Sequence, residues 1–437
     1  MAEVHPFRAF RYDPQQVRLD QVVTQPYDKI SKGLQDRYYA ASPYNLVRII
    51  LGRAEETDNP ANNVYLRAAD AFRTWRDRGI LRQDPAQSLY RYSQSFTLPG
   101  SDTKVERTGF IALGRIEEYS AGVVYRHEQT LTKPKADRLN LLRATRANFG
   151  QLFMLYQDSG EIESLLAVDG SANIEVTDEN GVVHRVWQIS DADLIRSVCA
   201  AMHDKKLIIA DGHHRYETAL AYRDECRKEN SPSKSAPASP APLYEFAMMT
   251  FVNLNSPALA ILPTHRVVHG VEGFSEDGFY KAARAFFDID EVDSSLTAAQ
   301  AKAMLREAGR AGTCLLAVTP KRAFLMHHPN PGMASVFGGL SLRQQSLDVV
   351  QLHKVLLENV LRLSEESIRD QKNVSYVRDP AEALSHVRSG SANIVFLMNP
   401  CRVTQVRDIA FAGEVMPQKS TDFYPKLLSG LTIYALD

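Results

Sequence analysis

Five consecutive polar residues, Asp211-Gly212-His213-His214-Arg215, follow directly after a short apolar run. Each residue type suits work on a phosphate group. An arginine guanidinium can donate two parallel hydrogen bonds to one phosphate group. A histidine can donate a hydrogen bond and can change charge near neutral pH. The aspartate could hold a metal ion or accept a proton, while the glycine allows a positive φ or a close backbone approach. Together these residues predict an anion site, for phosphate above all.

The flanking sequence predicts the elements that position this motif. The apolar residues 207–210 predict a strand, and residues 216–221 predict the start of a helix. The first amide groups of a helix and the positive end of its dipole bind anions. An Asp-Gly pair is also a common helix cap and turn. Because five site-type residues stand together at a strand end, we favour the functional interpretation.

Two further pairs of residues could contribute to a site. Tyr27 and Asp28 follow Pro26, which fixes an extended or turned backbone before them. Alone, Asp28 would be interpreted as the cap of the helix predicted near 31–40. His127 and Glu128 follow the apolar run 123–125, so they are either solvated or face a site.

Basic residues follow in two segments. Lys133, Lys135 and Arg138 open a predicted helix that runs to about residue 148, where they are either solvent-exposed charges or substrate contacts. Residues 413–427 are dense in Lys, Ser, Thr and aromatic residues. Lys419 and Lys426 in this segment could donate to phosphate, whereas the alternative is an ordinary tail that docks through its apolar residues.

The remaining pattern alternates helix and strand. The apolar run Leu46–Leu51 predicts a strand, and a Pro-Gly turn near residue 100 joins two predicted strands into a hairpin. Residues 231–242 are rich in Pro, Ser and Ala and predict a mobile loop. We expect C-terminal helices near 275–287, 297–309, 347–363 and 380–388, and strands near 313–317, 322–327, 373–377 and 393–398.

Composition narrows the function classes. The chain of 437 residues is 44% hydrophobic and 24% charged, with a net charge of −1. This profile is typical of a globular protein of two or three folding units and gives no support for nucleic-acid or membrane binding. The N-terminus lacks signal-peptide features, and the four cysteines form no metal or disulfide pattern. We therefore expect a cytoplasmic protein.

Several of these segments together resemble the bacterial and archaeal family known as "domain of unknown function 1015". The matching segments keep the family's order and span nearly the whole chain. They are His5–Phe10, Pro26–Asp28, Ser42–Asn45, His127-Glu128, Ala210–Arg215 and Gly413–Leu431.

The motif also resembles the nucleotide-binding turn of the ParB and sulfiredoxin superfamily, to which free-serine kinases belong. That resemblance implies an α+β fold with a mixed sheet in residues 1–255, which would carry the motif. A second α/β region would span 256–437, and whether its segment 413–431 folds back on the site is left open. Where sulfiredoxin has a cysteine this chain has His213, which argues against sulfinic-acid reduction.

The resemblance implies a kinase that converts a small hydroxylated metabolite, free L-serine foremost, to its phosphate ester. ATP or ADP would bind through Gly212, His213, His214, Arg215 and Lys419. Mg²⁺ would neutralise phosphate charge, as phosphoryl transfer generally requires. The candidate catalytic carboxylates are Glu128 and Asp28, with Asp211 third, and the candidate substrate contacts are Tyr27, His127, Lys135 and Arg138.

A second hypothesis stays open, in which the same motif binds a nucleotide or phosphometabolite for regulation without turnover. No metal-ligand set is assigned from the sequence. Expected partners are small molecules rather than nucleic acid or membrane, and the oligomeric state, a homodimer included, is left open.

Overall fold

The computed structural model of the protein describes residues 1–129, 133–167, 169–229 and 241–437. The chain forms two compact units. The first contains residues 1–125, 131–260 and 425–437, and the second contains residues 126–130 and 261–424. The last 13 residues therefore belong with the N-terminal part of the chain, and not with one region over 256–437 as the sequence predicted. The predicted mobile loop falls almost entirely on residues 230–240, outside the described residues.

The first unit is built on a nine-stranded sheet. Strand Leu207–Asp211 lies parallel to Val124–Tyr125 on one side and antiparallel to Leu152–Tyr156 on the other. Leu152–Tyr156 runs parallel to Phe246–Asn253, so parallel and antiparallel pairs share one sheet. The predicted α+β class with a mixed sheet is confirmed. In spatial order the strands are Val124–Tyr125, Leu207–Asp211, Leu152–Tyr156, Phe246–Asn253, Lys104–Arg115, Leu89–Thr97, Val183–Ile189 and Ile174–Thr177, with Val4–His5 paired to Lys104–Arg115.

Helices cover this sheet, and their apolar side chains pack with the apolar side chains of the strands. Val198 and Met202 of one helix and Tyr216 of another pack with Phe110 and Met249 of the strands. Small strand pairs complete the unit, namely Phe10–Tyr12 with Leu81–Gln83 and Ala147–Asn148 with Tyr434–Ala435. The α-helices are Lys32–Ala41, Val47–Ile50, Val64–Asp77, Lys133–Thr145, Glu161–Leu165, Ala192–Met202 and His213–Glu229.

The run Leu46–Leu51 was predicted as a strand, and this was wrong. Residues Val47–Ile50 form a short helix. The Asn45 side chain accepts a hydrogen bond from the Val47 amide at 2.9 Å, which starts the turn. A buried apolar run of this length does not distinguish a strand from a helix by its pattern alone.

The second unit has a six-stranded, fully antiparallel sheet. Its spatial order is Asp288–Val292, Ala323–His327, Cys314–Val318, Ile394–Met398, His265–Val268 and Val374–Val377. Further strands are Ala260–Leu262, at the boundary of the units, and Asp422–Tyr424. The α-helices are Glu276–Ala283, Ala298–Ala308, Leu342–Gln345, Asp348–Gln351, Glu365–Arg369, Pro380–Arg388 and Val403–Phe411, and Leu352–Val360 is a π-helix.

The predicted C-terminal alternation of helices and strands agrees with this unit, except that the helix expected over 347–363 is divided between an α-helix and the π-helix. Among the described residues, no helix combines the length and the apolar composition that a membrane crossing requires.

Candidate functional site

The motif in the first unit is a strand, a one-residue turn and a helix. Residues 207–210 are buried, and Asp211 ends the strand half-buried. Gly212 then turns the chain with φ +96°, and the helix starts at His213. The Tyr216 amide donates to the Gly212 carbonyl at 2.9 Å, which is the first hydrogen bond of that helix. The motif therefore has the local geometry that the sequence predicted.

Gly212 is required here by both its conformation and its surroundings. A Cβ at this position would lie 3.0 Å from Nη2 of Arg215 and 3.0 Å from Cδ2 of Leu152. The positive φ is itself unfavourable for residues with a side chain. The close approach brings the guanidinium of Arg215 against the turn.

Asp211 joins two cations in the first unit. Its Oδ2 accepts from Nη2 of Arg215 at 3.1 Å, and its Oδ1 accepts from Nζ of Lys426 at 3.3 Å. Arg215 also donates through Nη1 to the Gln151 carbonyl. The Lys426 side chain is only 7% exposed, so its ammonium is nearly removed from solvent. These contacts fix one carboxylate and two cations at the start of the helix.

The charges around Asp211 hold it ionised. Burial alone would raise its pKa, but Lys426, Arg215 and Lys29 together hold the pKa well below its usual range. Asp211 is therefore a weak proton acceptor at neutral pH, because efficient general bases have a pKa near the working pH. Its carboxylate therefore serves as the anionic partner of Arg215 and Lys426 rather than as a proton acceptor.

A buried polar network positions Lys426. Gln94 donates to the Lys426 carbonyl at 2.8 Å, and the fully buried Arg107 donates to the Pro425 carbonyl and to the Gln94 side chain. Burial lowers the pKa of Arg107 to about 10, which still leaves it charged at neutral pH. The guanidinium lies 4.7 Å from the Phe153 ring centroid. Side chains from two strands of the nine-stranded sheet therefore hold the backbone of Lys426 in place.

A cavity of the first unit lies beside Arg215. Its polar lining includes Tyr27, Arg138 and Arg215, and the Arg138 guanidinium stacks 4.1 Å from the Tyr27 ring centroid. Burial raises the pKa of Tyr27, Asp28 adds to this rise, and the two arginines oppose it. The apolar lining includes Ile50, Leu141, Leu142, Phe149, Leu152, Ala219 and Ala247. Two guanidinium groups beside an apolar wall would suit an anion that carries an apolar body.

The structure places the other predicted residues of the first unit around this cavity or close to the motif. Asp28 is exposed on the short 3₁₀ turn Tyr27–Lys29, next to the cavity residue Tyr27. Lys135 forms an ion pair with Glu217, in the second turn of the motif helix. His213 and His214 are half-buried, and the His214 carbonyl accepts from the Thr218 hydroxyl at 2.8 Å.

Glu128, His127 and Lys419 belong to the second unit. Glu128 accepts from the Lys419 amide at 2.7 Å, and the Lys419 carbonyl accepts from Nη2 of Arg266 at 3.1 Å. These two contacts hold Lys419 at φ +57°, a conformation that non-glycine residues seldom adopt. His127 is buried, and its Nε2 lies 2.8 Å from Oγ1 of Thr421. In this unit Glu128 therefore fixes a backbone turn.

Some residues of the site were not singled out by the sequence pattern. Lys426 appeared there only as one donor in a dense segment, and neither Lys29 nor Gln151 was selected. Lys426 lies 215 residues from Asp211 in the chain. The only signal was the unusual density of polar residues near the C-terminus.

Comparisons with known proteins identify a family for this chain and several solved structures that resemble it only distantly. A search of curated proteins found no match to the sequence. A free serine kinase in complex with AMP aligns with a TM-score of 0.34 and 12% identity, covering 69% of this chain and 83% of that chain. A conserved hypothetical protein from Pyrococcus furiosus aligns with a TM-score of 0.34 and 11% identity, covering 70% of this chain and 88% of that chain. SbnI with a C-terminal truncation, from Staphylococcus aureus, aligns with a TM-score of 0.36 and 8% identity, covering 73% of this chain and 85% of that chain.

TM-scores and identities this low transfer neither an activity nor a substrate. The family match is direct, since residues 4–350 match the family described as protein of unknown function (DUF1015). The chain belongs to that family.

Proposed function

We propose that the protein is a nucleotide-dependent phosphotransferase that acts on the hydroxyl group of a small metabolite. One observation carries this proposal. Arg215 and Lys426 both contact Asp211 at the start of a helix, and Arg215 also lines a cavity with an apolar wall. Phosphoryl transfer depends mainly on positioned positive charge, which this arrangement supplies.

The phosphates of ATP or ADP would bind at the turn. The first amides of helix His213–Glu229, including those of His213 and His214, point toward the helix start, where anions are stabilised. Arg215 and Lys426 would add charge-assisted hydrogen bonds. The apolar wall of the cavity, which Leu141 and Phe149 help to form, would contact the nucleoside.

Asp211 fits a Mg²⁺ ligand. Magnesium in kinase sites binds one or two carboxylates together with phosphate oxygens, and the charges around Asp211 keep it ionised. Each carboxylate oxygen has two lone pairs, so one hydrogen bond to Arg215 or Lys426 does not exhaust it. A bound Mg²⁺ would neutralise charge on the transferred phosphate.

The acceptor side of the reaction is assigned to the cavity rim. Asp28 is the proposed base, because it belongs to the first unit and is exposed next to the cavity residue Tyr27. The guanidinium of Arg138 donates to the Asp137 carboxylate and to the Ile50 carbonyl, so this proposal requires it to exchange Asp137 for the carboxylate of an acceptor such as L-serine. Serine is proposed as the acceptor because of the resemblance in the sequence. The roles of Glu128 as a base, of His127 and Lys135 as substrate contacts and of Lys419 as a phosphate donor stay predictions.

A phosphotransfer assay tests the proposal. The protein would be incubated with Mg²⁺, ATP or ADP, and L-serine among a panel of small alcohols, beside an Asp28→Asn variant and a Glu128→Gln variant. We expect a phosphate ester from the wild type, at least a hundredfold less with Asp28→Asn, and a smaller loss with Glu128→Gln. Nucleotide binding without product across the panel would contradict the kinase and favour a regulatory nucleotide sensor, for which Asp28→Asn would leave affinity unchanged.

A further inference from the structure

A cluster of histidine and aspartate side chains lies at the edge of the second unit's sheet. Asp288 opens the edge strand and pairs directly with His327 at the end of the neighbouring strand. His328 follows with φ +44°, outside the usual range for a residue with a side chain. One ligand atom from each of these three residues lies within 4.8 Å of the others. None of them belongs to the proposed nucleotide site.

The two imidazoles face each other through like atoms. Nδ1 of His327 lies 2.9 Å from Nδ1 of His328, and that second nitrogen lies 3.5 Å from Oδ2 of Asp288. Only one hydrogen fits between two ring nitrogens at this distance, so in any single tautomer at least one of them acts as an acceptor. Nitrogen ligands about 2.0–2.1 Å from a metal lie roughly 2.9 Å apart when they are at right angles, as in octahedral Ni²⁺ or Co²⁺ sites, and about 3.3 Å apart in a tetrahedral Zn²⁺ site. The spacing therefore suits two ligands of one ion.

The outer partner of His327 supports the same assignment. Nε2 of His327 lies 2.9 Å from Oδ2 of Asp290. A carboxylate here makes Nε2 the protonated nitrogen, which leaves the lone pair on Nδ1, toward His328. Metal-bound histidines characteristically donate their second ring nitrogen to a carboxylate or carbonyl in this way. Asp290 thus orients the nitrogen that faces the cluster.

We propose that Asp288, His327 and His328 bind a divalent first-row transition-metal ion, with Asp290 as a positioning residue. Two imidazoles and one carboxylate are ligands for Zn²⁺, Ni²⁺ or Co²⁺ rather than for Mg²⁺, which prefers oxygen. The side chains of Asp288 and His328 are 71% and 65% exposed, so an ion can reach the site from solvent. Three protein ligands leave at least one coordination position for water or for a ligand from a partner.

Calorimetric titration of the full-length, tag-free protein with Zn²⁺ tests this site. We expect one binding equivalent in the wild type that His327→Ala and His328→Ala each weaken at least tenfold. Asp290→Asn would weaken it about ten- to a hundredfold, although Asp290 touches no metal in this assignment. His203→Ala, which changes an exposed histidine of the first unit, would leave the affinity unchanged.

Co²⁺ gives a second readout through its visible absorption, whose position and strength report nitrogen and oxygen coordination. Bands that appear in the wild type and are lost in His328→Ala, with an unchanged far-ultraviolet circular dichroism spectrum, would support the site. The proposal is overturned if the wild type binds no Zn²⁺, or if both histidine variants bind it as the wild type does.

Discussion

Replacing Gly212 by alanine should damage the first unit's site in two separable ways. The alanine residue has to adopt φ near +96°, and this backbone conformation costs about 1–2 kcal/mol of folding free energy for a residue with a side chain. Its Cβ also lies 3.0 Å from both Leu152 and Arg215, and such overpacking costs a further 1–3 kcal/mol, roughly. Because Leu152 is buried in the sheet, the guanidinium of Arg215 is the group that is free to move.

Gly170→Ala is the matched control. Its φ is +101°, and a Cβ there meets nothing within 4 Å, so this variant carries only the backbone cost. Urea unfolding should show Gly212→Ala less stable than Gly170→Ala by about 1–3 kcal/mol.

Nucleotide affinity should fall only in Gly212→Ala. A lost charge-assisted hydrogen bond is worth about 1.5–3 kcal/mol, which is roughly a tenfold to hundredfold change. If Gly212→Ala binds nucleotide as tightly as Gly170→Ala does, the reasoning about the turn and Arg215 is refuted.

Two further outcomes follow from the same contacts. A carboxyl whose pKa is lower in the folded than in the unfolded protein stabilises the fold above the unfolded value, about 3.9, and loses this contribution as the pH falls. Urea unfolding of the wild type should therefore lose more stability between neutral pH and about pH 3 than that of Asp211→Asn, and equal losses would contradict the ion cluster. Arg107→Met should lower the free energy of unfolding by about 1–3 kcal/mol, since the Pro425 carbonyl and the Gln94 side chain lose a buried donor. It should also weaken nucleotide binding through Lys426, and an unchanged affinity would show that the network does not position that lysine.

The local structure of the motif could be predicted from the sequence because its signals are local. An apolar strand, a glycine and a long helical pattern stand next to each other, and the helix covers the described residues His213–Glu229. The Leu46–Leu51 run could not be assigned in this way, since a short buried apolar run fits a strand and a helix equally well.

The partners of the motif could not be predicted, because they come from distant parts of the chain. Lys426 reaches Asp211 only because strands that carry Gln94 and Arg107 hold its backbone. No periodicity or spacing in the sequence encodes such a contact. The pairing of Glu128 with the Lys419 amide is a contact of the same kind.

The most direct test of the central claim is nucleotide binding by calorimetry, in the presence of Mg²⁺, to the wild type, Lys426→Met and Lys104→Met. Lys426 is buried against Asp211, whereas Lys104 is an exposed lysine at the start of a strand in the same unit. The account predicts that ATP or ADP binds the wild type and Lys104→Met equally, and binds Lys426→Met at least tenfold more weakly. Equal affinities of all three proteins, or no binding to the wild type, would contradict a phosphate site at Asp211, Arg215 and Lys426.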